Sequence, residues 1–359
     1  MWIAGIAASF PSRVVTNDDI LELIAAESRD TFEGDLARSG VLRRIRRLLV
    51  HSGARSRRWL APGETPIGLL AGAVERALAE SRCDPADIDL LIYTGVGGGF
   101  AEPGNAHLVA HALGLRRTRC FDLVDACNSW ARAVELTYHW FRSDPSLTRT
   151  LIVNAEFNMY PGGPGVPDLF RLRRATEVAW RFPAYTIGEA ATATLLVNQA
   201  GPDWQFLSRS RPDLADLCHI PRQNYRGYCT IGLDGRGSAA GARLARNGPD
   251  RFTSFASELF AHAVPEAVNL LRQLPVDWKR VARIFPHASS KHDWDHGASL
   301  VGVRDLLFHI YPDYGNVVSA SVPAAIALAR DQGEIQRGDR LVWWIASAGM
   351  SFSVCSFVF

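Results

Sequence analysis

Short runs of uninterrupted apolar residues alternate along this chain with segments in which apolar residues recur at helical spacing, and the alternation begins again after residue 200. Strands that are apolar on both faces must be covered on both faces, so this rhythm predicts mixed sheets layered with helices. In the first half, strands are expected over residues 1–9, 88–94, 119–124, 150–155 and 192–197, and helices over 67–80, 105–113 and 128–142. Thr16, Asn17, Asp18 and Asp19 open a further helix, because short polar side chains cap free backbone amides. The second half repeats the pattern, with helices over 252–274 and 321–332 and strands over 281–285, 341–345 and 351–359. The halves share no sequence words. The expected fold class is therefore α/β, built from two pseudo-symmetric mixed halves, residues 1–200 and 201–359.

Two segments interrupt the rhythm. Residues 28–58 are Arg-rich and read as helical, exposed and lid-like. The stretch YPGGPGVPDL at 160–169 holds too much Pro and Gly for regular structure and reads as a loop insertion beside a pocket.

A chain of 359 residues with 47% hydrophobic and 21% charged residues has the balance of a globular protein with a substantial core. Its formal charge of +2 gives no reason to expect nucleic acid as a partner. Nearly all the basic residues are arginine, and clusters such as Arg43, Arg44, Arg46 and Arg47 either meet a phosphorylated cofactor or form a solvated helix face. The six cysteines (83, 120, 127, 218, 229 and 355) show no CxxC pairing, which suits free thiols in a reducing cytoplasm. No apolar stretch is long enough to predict a membrane span, and the start carries no basic leader.

Chemistry concentrates in four places. In CFDLVDACNSW an apolar strand turns sharply into a helix and sets Cys127 at the helix N-terminus. There free amides and the helix dipole favour the thiolate, the nucleophilic form; a small buried core residue is the other reading. His287 directly follows a strand end in FPHASSKHDWDHG, where α/β enzymes place acid–base groups. The spacing of His287, His292 and His296 does not match a metal-ligand motif, so no metal is expected. Asn316 in YGNVVSASVP is either a turn residue or a hydrogen-bond donor to a thioester carbonyl. The turn Ser347-Ala348-Gly349 lies between two apolar strands and exposes backbone amides suited to an oxyanion hole.

Taken in order, IAGIAASFPSRVVTNDD, SGARSRRWLAPGET, DLLIYTGV, FDLVDACNSW, LIVNAEF, IGEAATATLLV, FPHASS, YGNVVSASVP and the last glycine turn resemble the β-ketoacyl-acyl-carrier-protein synthase III family of thiolase-like condensing enzymes. The resemblance covers nearly the whole chain. It implies a layered αβαβα thiolase-like core, an acyl-thioester nucleophile at Cys127, catalytic roles for His287 and Asn316, and oxyanion amides at Cys127 and the Ala348-Gly349 turn. Arg58 and Trp59 fall where the family holds the adenine end of coenzyme A. It further implies acyl-CoA or acyl carrier protein as acyl donor, no permanently bound cofactor, and a cytoplasmic homodimer.

The chain departs from the family's usual residues around these positions. Ala288, Ser289 and Ser290 follow the histidine in place of Gln-Ala-Asn, and Asn128 and Ser129 follow the cysteine in place of Ser-Gly. Two enzyme readings result: decarboxylative condensation of acyl-Cys127 with a malonyl thioester, or transfer of the acyl group to an alcohol or amine of a small-molecule acceptor with His287 as base. The altered surroundings tilt the sequence reading toward transfer. A non-catalytic partner subunit is the third reading, and retention of Cys127, His287 and Asn316 argues against it.

Overall fold

The computed structural model describes residues 1–225, 243 and 246–359; Cys229 lies outside the described residues. The first sheet holds β1 (Trp2–Ser9), β4 (Leu90–Thr94), β5 (Arg119–Leu123), β6 (Arg149–Glu156) and β7 (Ala190–Val197). Their order is β1-β7-β6-β4-β5, with β1 and β6 antiparallel to β7 and with β6, β4 and β5 parallel. The second sheet holds β8 (Gln205–Ser210), β11 (Val281–Pro286), β12 (Arg340–Ser347) and β13 (Ser351–Val358) in the order β11-β12-β13-β8. Reading from β8, it repeats two antiparallel pairings followed by a parallel one. The four strands of the second sheet thus repeat the pairing pattern of β1, β7, β6 and β4, as the recurring sequence rhythm predicts, and the first sheet carries β5 in addition.

The helices are α1 (Asn17–Ser28), α2 (Val41–Ser52), α3 (Pro66–Ser81), α4 (Asn105–Ala112), α5 (Ser129–Ser143), α6 (Ala256–Gln273), α7 (Lys291–Ser299) and α8 (Ser321–Asp331), besides shorter turns. α3 covers the outside of the first sheet and α6 the outside of the second. α5 and α8 fill the layer between: α8 packs on β1, β7 and β11, and Trp130 of α5 meets Trp343 of β12 edge-on at 5.2 Å. The inward stripe of α5 is Trp130, Val134, Thr137 and Phe141, all buried. Each apolar side chain of that size contributes about 1.5–3 kcal/mol on burial, which ties the helix behind the nucleophile firmly to both sheets.

The N-terminus of α1 bears out its sequence signal: Thr16 and Asp19 form a reciprocal capping box. The Arg-rich segment differs from expectation, because only residues 41–52 are helical within 29–58. Gly40 and Gly53 take left-handed φ of 71° and 84° at the two ends of α2, and the chain then forms β3 (Ser56–Trp59), paired antiparallel with β2 (Arg13–Thr16). In β3 the alternation sends Arg57 and Trp59 inward, so half of this basic run is core. The helix expected over 252–274 begins only at Ala256, because Thr253–Ser254 (β10) pairs with Cys218–His219 (β9). Among the described residues no helix is long and apolar enough to cross a membrane.

Candidate active site

Three turns bring the sequence candidates to one cavity. The first leaves β5, exposes Val124 and reverses at Ala126, a non-glycine residue at φ 47°, before Cys127 enters the helical turn leading to α5. The second contains Asn316 and passes through Val318, a β-branched residue at φ 49°. The third, between β12 and β13, has Gly349 at φ 75° and Met350 at φ 53°. Three of the five described non-glycine residues at positive φ therefore flank these turns. Each such conformation costs about 1–3 kcal/mol and persists only where surrounding bonds hold it.

Asn128 supplies much of that hold at the nucleophile. It is fully buried; its Nδ2 donates to Asp125 Oδ2 at 2.9 Å, and its Oδ1 accepts from Ser353 Oγ at 2.6 Å. Its backbone N–H donates to Ser347 Oγ at 3.3 Å, and Ser351 Oγ donates to Asp125 Oδ1 at 3.1 Å. The alternating serines of β13 thus fasten the Cys127 turn to the second sheet, a role the Asn128 departure did not disclose in the sequence.

Cys127 is half-buried on the cavity wall beside the Ser347-Ala348 turn, whose Ser347 hydroxyl donates to Asp125 O at 3.1 Å. Burial pushes the thiol well above its usual range, the neighbouring Cys218 and Glu156 add to the rise, and hydrogen bonding from Ala348 and Ser347 offsets it only in part. The helix N-terminus, which favours the thiolate, is thus set against desolvation, which acts the other way.

His287 follows β11, donates its backbone N–H to Trp344 O at 2.9 Å and is 4% exposed. Its Nδ1 is buried and has no hydrogen-bond partner among the described residues. Burial lowers the imidazole to about 4, so the ring is neutral at physiological pH. Ser289 accepts the Trp294 indole N–H at 2.9 Å, and Ser290 caps α7. The substituted residues after His287 therefore anchor the following helix.

Asn316 is fixed by a bridge to Ile187: its N–H donates to Thr186 O at 2.8 Å and its carbonyl accepts from Gly188 at 2.9 Å. A Cβ at Gly188 would stand 1.9 Å from Tyr314 O, so only glycine permits this approach. The side-chain Oδ1 accepts from Val318 N at 2.9 Å, which leaves the amide N–H groups as donors toward the cavity.

Cys127, His287, Asn316, Ala348 and Gly349 all line one cavity of about 1920 Å³. Phe157, Met159, Phe182, Phe252, Leu259 and Phe260 give it a largely apolar wall. Arg58 and Trp59 do not line it. Trp59 is 4% exposed with its indole N–H on Ile187 O, and Arg58 lies over the Tyr314 ring. Their placement does not fit the expected contact with the adenine end of coenzyme A, because the β2–β3 pairing turns Trp59 into the core. Arg44 and His51, exposed on α2, are the basic residues at this part of the lining. Among the described residues no group of three His, Cys, Asp or Glu side chains is placed to hold a metal ion.

Residues 271–358 match the model of the C-terminal part of 3-oxoacyl-[acyl-carrier-protein] synthase III. The chain is 29% identical to the β-ketoacyl-[acyl-carrier-protein] synthase III of Gloeobacter violaceus, over 98% of this chain and 96% of that one. It is 25% identical to the 3-oxopimeloyl-[acyl-carrier-protein] synthase of Brucella abortus, over 97% and 95% of the two chains. Two solved structures share its fold at 18% identity. They are OleA of Xanthomonas campestris with lauric acid and lauroyl-CoA (TM-score 0.78, 99% and 98% covered) and the 3-oxoacyl-[acyl-carrier-protein] synthase III of Aquifex aeolicus (TM-score 0.73, 99% of each).

Proposed function

We propose that this chain, similar over its length to β-ketoacyl-acyl-carrier-protein synthase III-like condensing enzymes of the thiolase fold, joins an acyl group held on Cys127 to the carbon of a malonyl thioester. In the first half-reaction the Cys127 sulfur attacks the carbonyl of an acyl-CoA or acyl carrier protein. The donor's C–S bond breaks, and the donor thiol leaves with the proton of Cys127. The oxyanion formed on the way is met by backbone N–H groups of Cys127 and the Ala348-Gly349 turn. In the second, the malonyl C–CO₂ bond breaks, carbon dioxide leaves and the electron pair forms a thioester enolate. The enolate oxygen receives hydrogen bonds from His287 and the Asn316 amide. Its carbon attacks the acyl carbonyl, and the bond to Cys127 breaks with the electron pair returning to sulfur, which takes up a proton from water to restore the thiol.

The observation that carries this reading is the pairing on one wall of a neutral, buried imidazole with an Asn316 amide whose oxygen is tied back to Val318. Two neutral donors suit a developing enolate. An imidazole that burial lowers to about 4 is a weak base for an alcohol or amine proton, which favours condensation over the transfer reaction that the flanking residues alone favour. Transfer to a small acceptor remains the second reading, favoured by the hydroxyls of Ser254, Ser257, Ser289 and Ser290 along the cavity. The apolar wall supports an extended acyl chain, and Arg44 and His51 support a phosphate-bearing donor. The open edge of β5, beside Val124 at 70% and Phe100 at 59% exposure, supports a homodimer. A cytoplasmic location belongs to the same proposal.

The test is to load the protein from a series of acyl-CoAs, locate the adduct by peptide mapping, then add a malonyl thioester or candidate acceptors. A 3-oxoacyl product formed from Cys127-bound acyl supports condensation. An ester or amide formed instead, or an adduct on Cys120 or Cys218, overturns it.

A further inference from the structure

The last residue of β6, Glu156, is fully buried, and among the described residues no arginine, lysine or histidine bonds to it. It instead accepts from Val96 N at 3.3 Å, Gly97 N at 3.4 Å, Asn158 Nδ2 at 3.3 Å, Ser319 N at 3.2 Å and the Ser319 hydroxyl. Ser319 Oγ in turn accepts from Asn154 Nδ2 at 2.9 Å, and Asn154 Oδ1 accepts from Thr192 Oγ1 at 2.8 Å. Asn154, Thr192 and Ser319 are all buried. One carboxylate thus ties the loop after β4, whose Val96 and Gly97 line the cavity, to the turn that follows Asn316.

That turn needs holding. Val318 at φ 49° is strained, and it is held by its N–H on Asn316 Oδ1, by the Ser321 hydroxyl on its carbonyl at 2.7 Å and by the bonds from Ser319 to Glu156. Releasing the bonds to Glu156 leaves Ser321 alone to hold its carbonyl side and lets the N–H that orients the Asn316 amide shift. Glu156 does not itself line the cavity, and its oxygens are occupied by donors, so it has no direct part in bond making. We infer that Glu156 is a positioning residue, which fixes the Asn316 amide for the carbon–carbon bond-forming half-reaction and is not required for acylation of Cys127. The inference rests on the condensing reading above. It also explains why a carboxylate stands here: every neighbour donates, so only a group made of acceptors satisfies all of them. A glutamine would turn its NH₂ toward either Ser319 or the Val96 and Gly97 amides.

The experiment compares E156Q, N316A and their double variant by the rate of Cys127 acylation in quenched intact-mass samples, by steady-state turnover, and by KM for the acyl donor. E156Q is expected to acylate no more than about 3-fold more slowly than the parent with unchanged KM, while turnover falls about 10- to 100-fold, the scale of a misplaced reacting group. The double variant should turn over within about 3-fold of the slower single one, since both act through one amide. Parent-like turnover of folded E156Q, an equal loss of acylation and turnover, or multiplied losses in the double variant would each overturn the inference. If E156Q does not fold, S319A removes one donor to the carboxylate and should show the same selective loss at about 3- to 10-fold; equal effects on both half-reactions would count against the inference. N316A with parent-like turnover overturns the condensing reading itself, a result read without reference to Glu156.

Discussion

Replacing Asn128 by alanine removes a side chain that is fully buried and bonded at both ends, to Asp125 at 2.9 Å and Ser353 at 2.6 Å. Asp125 Oδ2 retains Arg132 Nε at 3.4 Å, but the Ser353 hydroxyl, 6% exposed, loses its acceptor. One lost bond and one stranded buried hydroxyl together cost about 2–4 kcal/mol. Urea unfolding should show a midpoint lowered by that free energy divided by the m-value, with the m-value itself unchanged. The double-mutant cycle with Ser353→Ala should return a coupling of about 1 kcal/mol, because the second substitution removes the stranded group. Acylation of Cys127 should slow by about tenfold as the turn at Ala126 loosens. An Asn128→Ala variant within about 0.5 kcal/mol of the parent, acylating at the parent rate, would refute the claim that the serines of β13 hold the nucleophile.

Other outcomes follow from the same geometry. Because burial raises the Cys127 thiol, its alkylation by iodoacetamide should rise about tenfold per pH unit from 7 to 9.5; a plateau below pH 8 would restore the resting thiolate. His287 is lowered from 6.5 to about 4, so the folded state resists a proton that the unfolded chain accepts. It contributes on the order of 3 kcal/mol above pH 6.5, lost as pH falls toward 4. His287→Asn should flatten that part of the stability profile, and an unchanged profile would show that the ring is not buried neutral. The same variant should turn over at least about 100-fold more slowly. Arg44→Glu should raise KM for acyl-CoA while leaving kcat within about 2-fold, and an unchanged KM would remove α2 from donor binding.

Much of this was legible in residues that act locally. Thr16 and Asp19 announced α1, the apolar runs announced β1, β4, β6 and β7, and the strand–turn–helix around Cys127 placed the thiol at the head of α5. What the sequence hid depends on distance along the chain or on burial. β3 escaped notice because Ser-Arg-Arg-Trp is polar by composition, although its alternation buries Arg57 and Trp59. β8, Gln205–Ser210, is a half-exposed edge strand without an apolar run. α7 was masked by a Lys-His-Asp-Trp-Asp-His run that first invites a metal-site reading. The loop and the turn that Glu156 joins, at Val96 and Ser319, stand 60 and 163 residues away, and the neighbouring Asn158 alone does not mark its role. The state of the Cys127 thiol is decided by desolvation, which no local motif records.

The most direct measurement is carbon dioxide released per molecule of product from a carboxyl-labelled malonyl thioester, followed in the parent protein and in Asn316→Ala. Condensation requires one carbon dioxide per product in the parent and a fall of at least about 100-fold in both signals in the variant, since the enolate loses one of its two donors. Product formed without carbon dioxide, at a rate that Asn316→Ala barely changes, would contradict the account and establish transfer to an acceptor heteroatom.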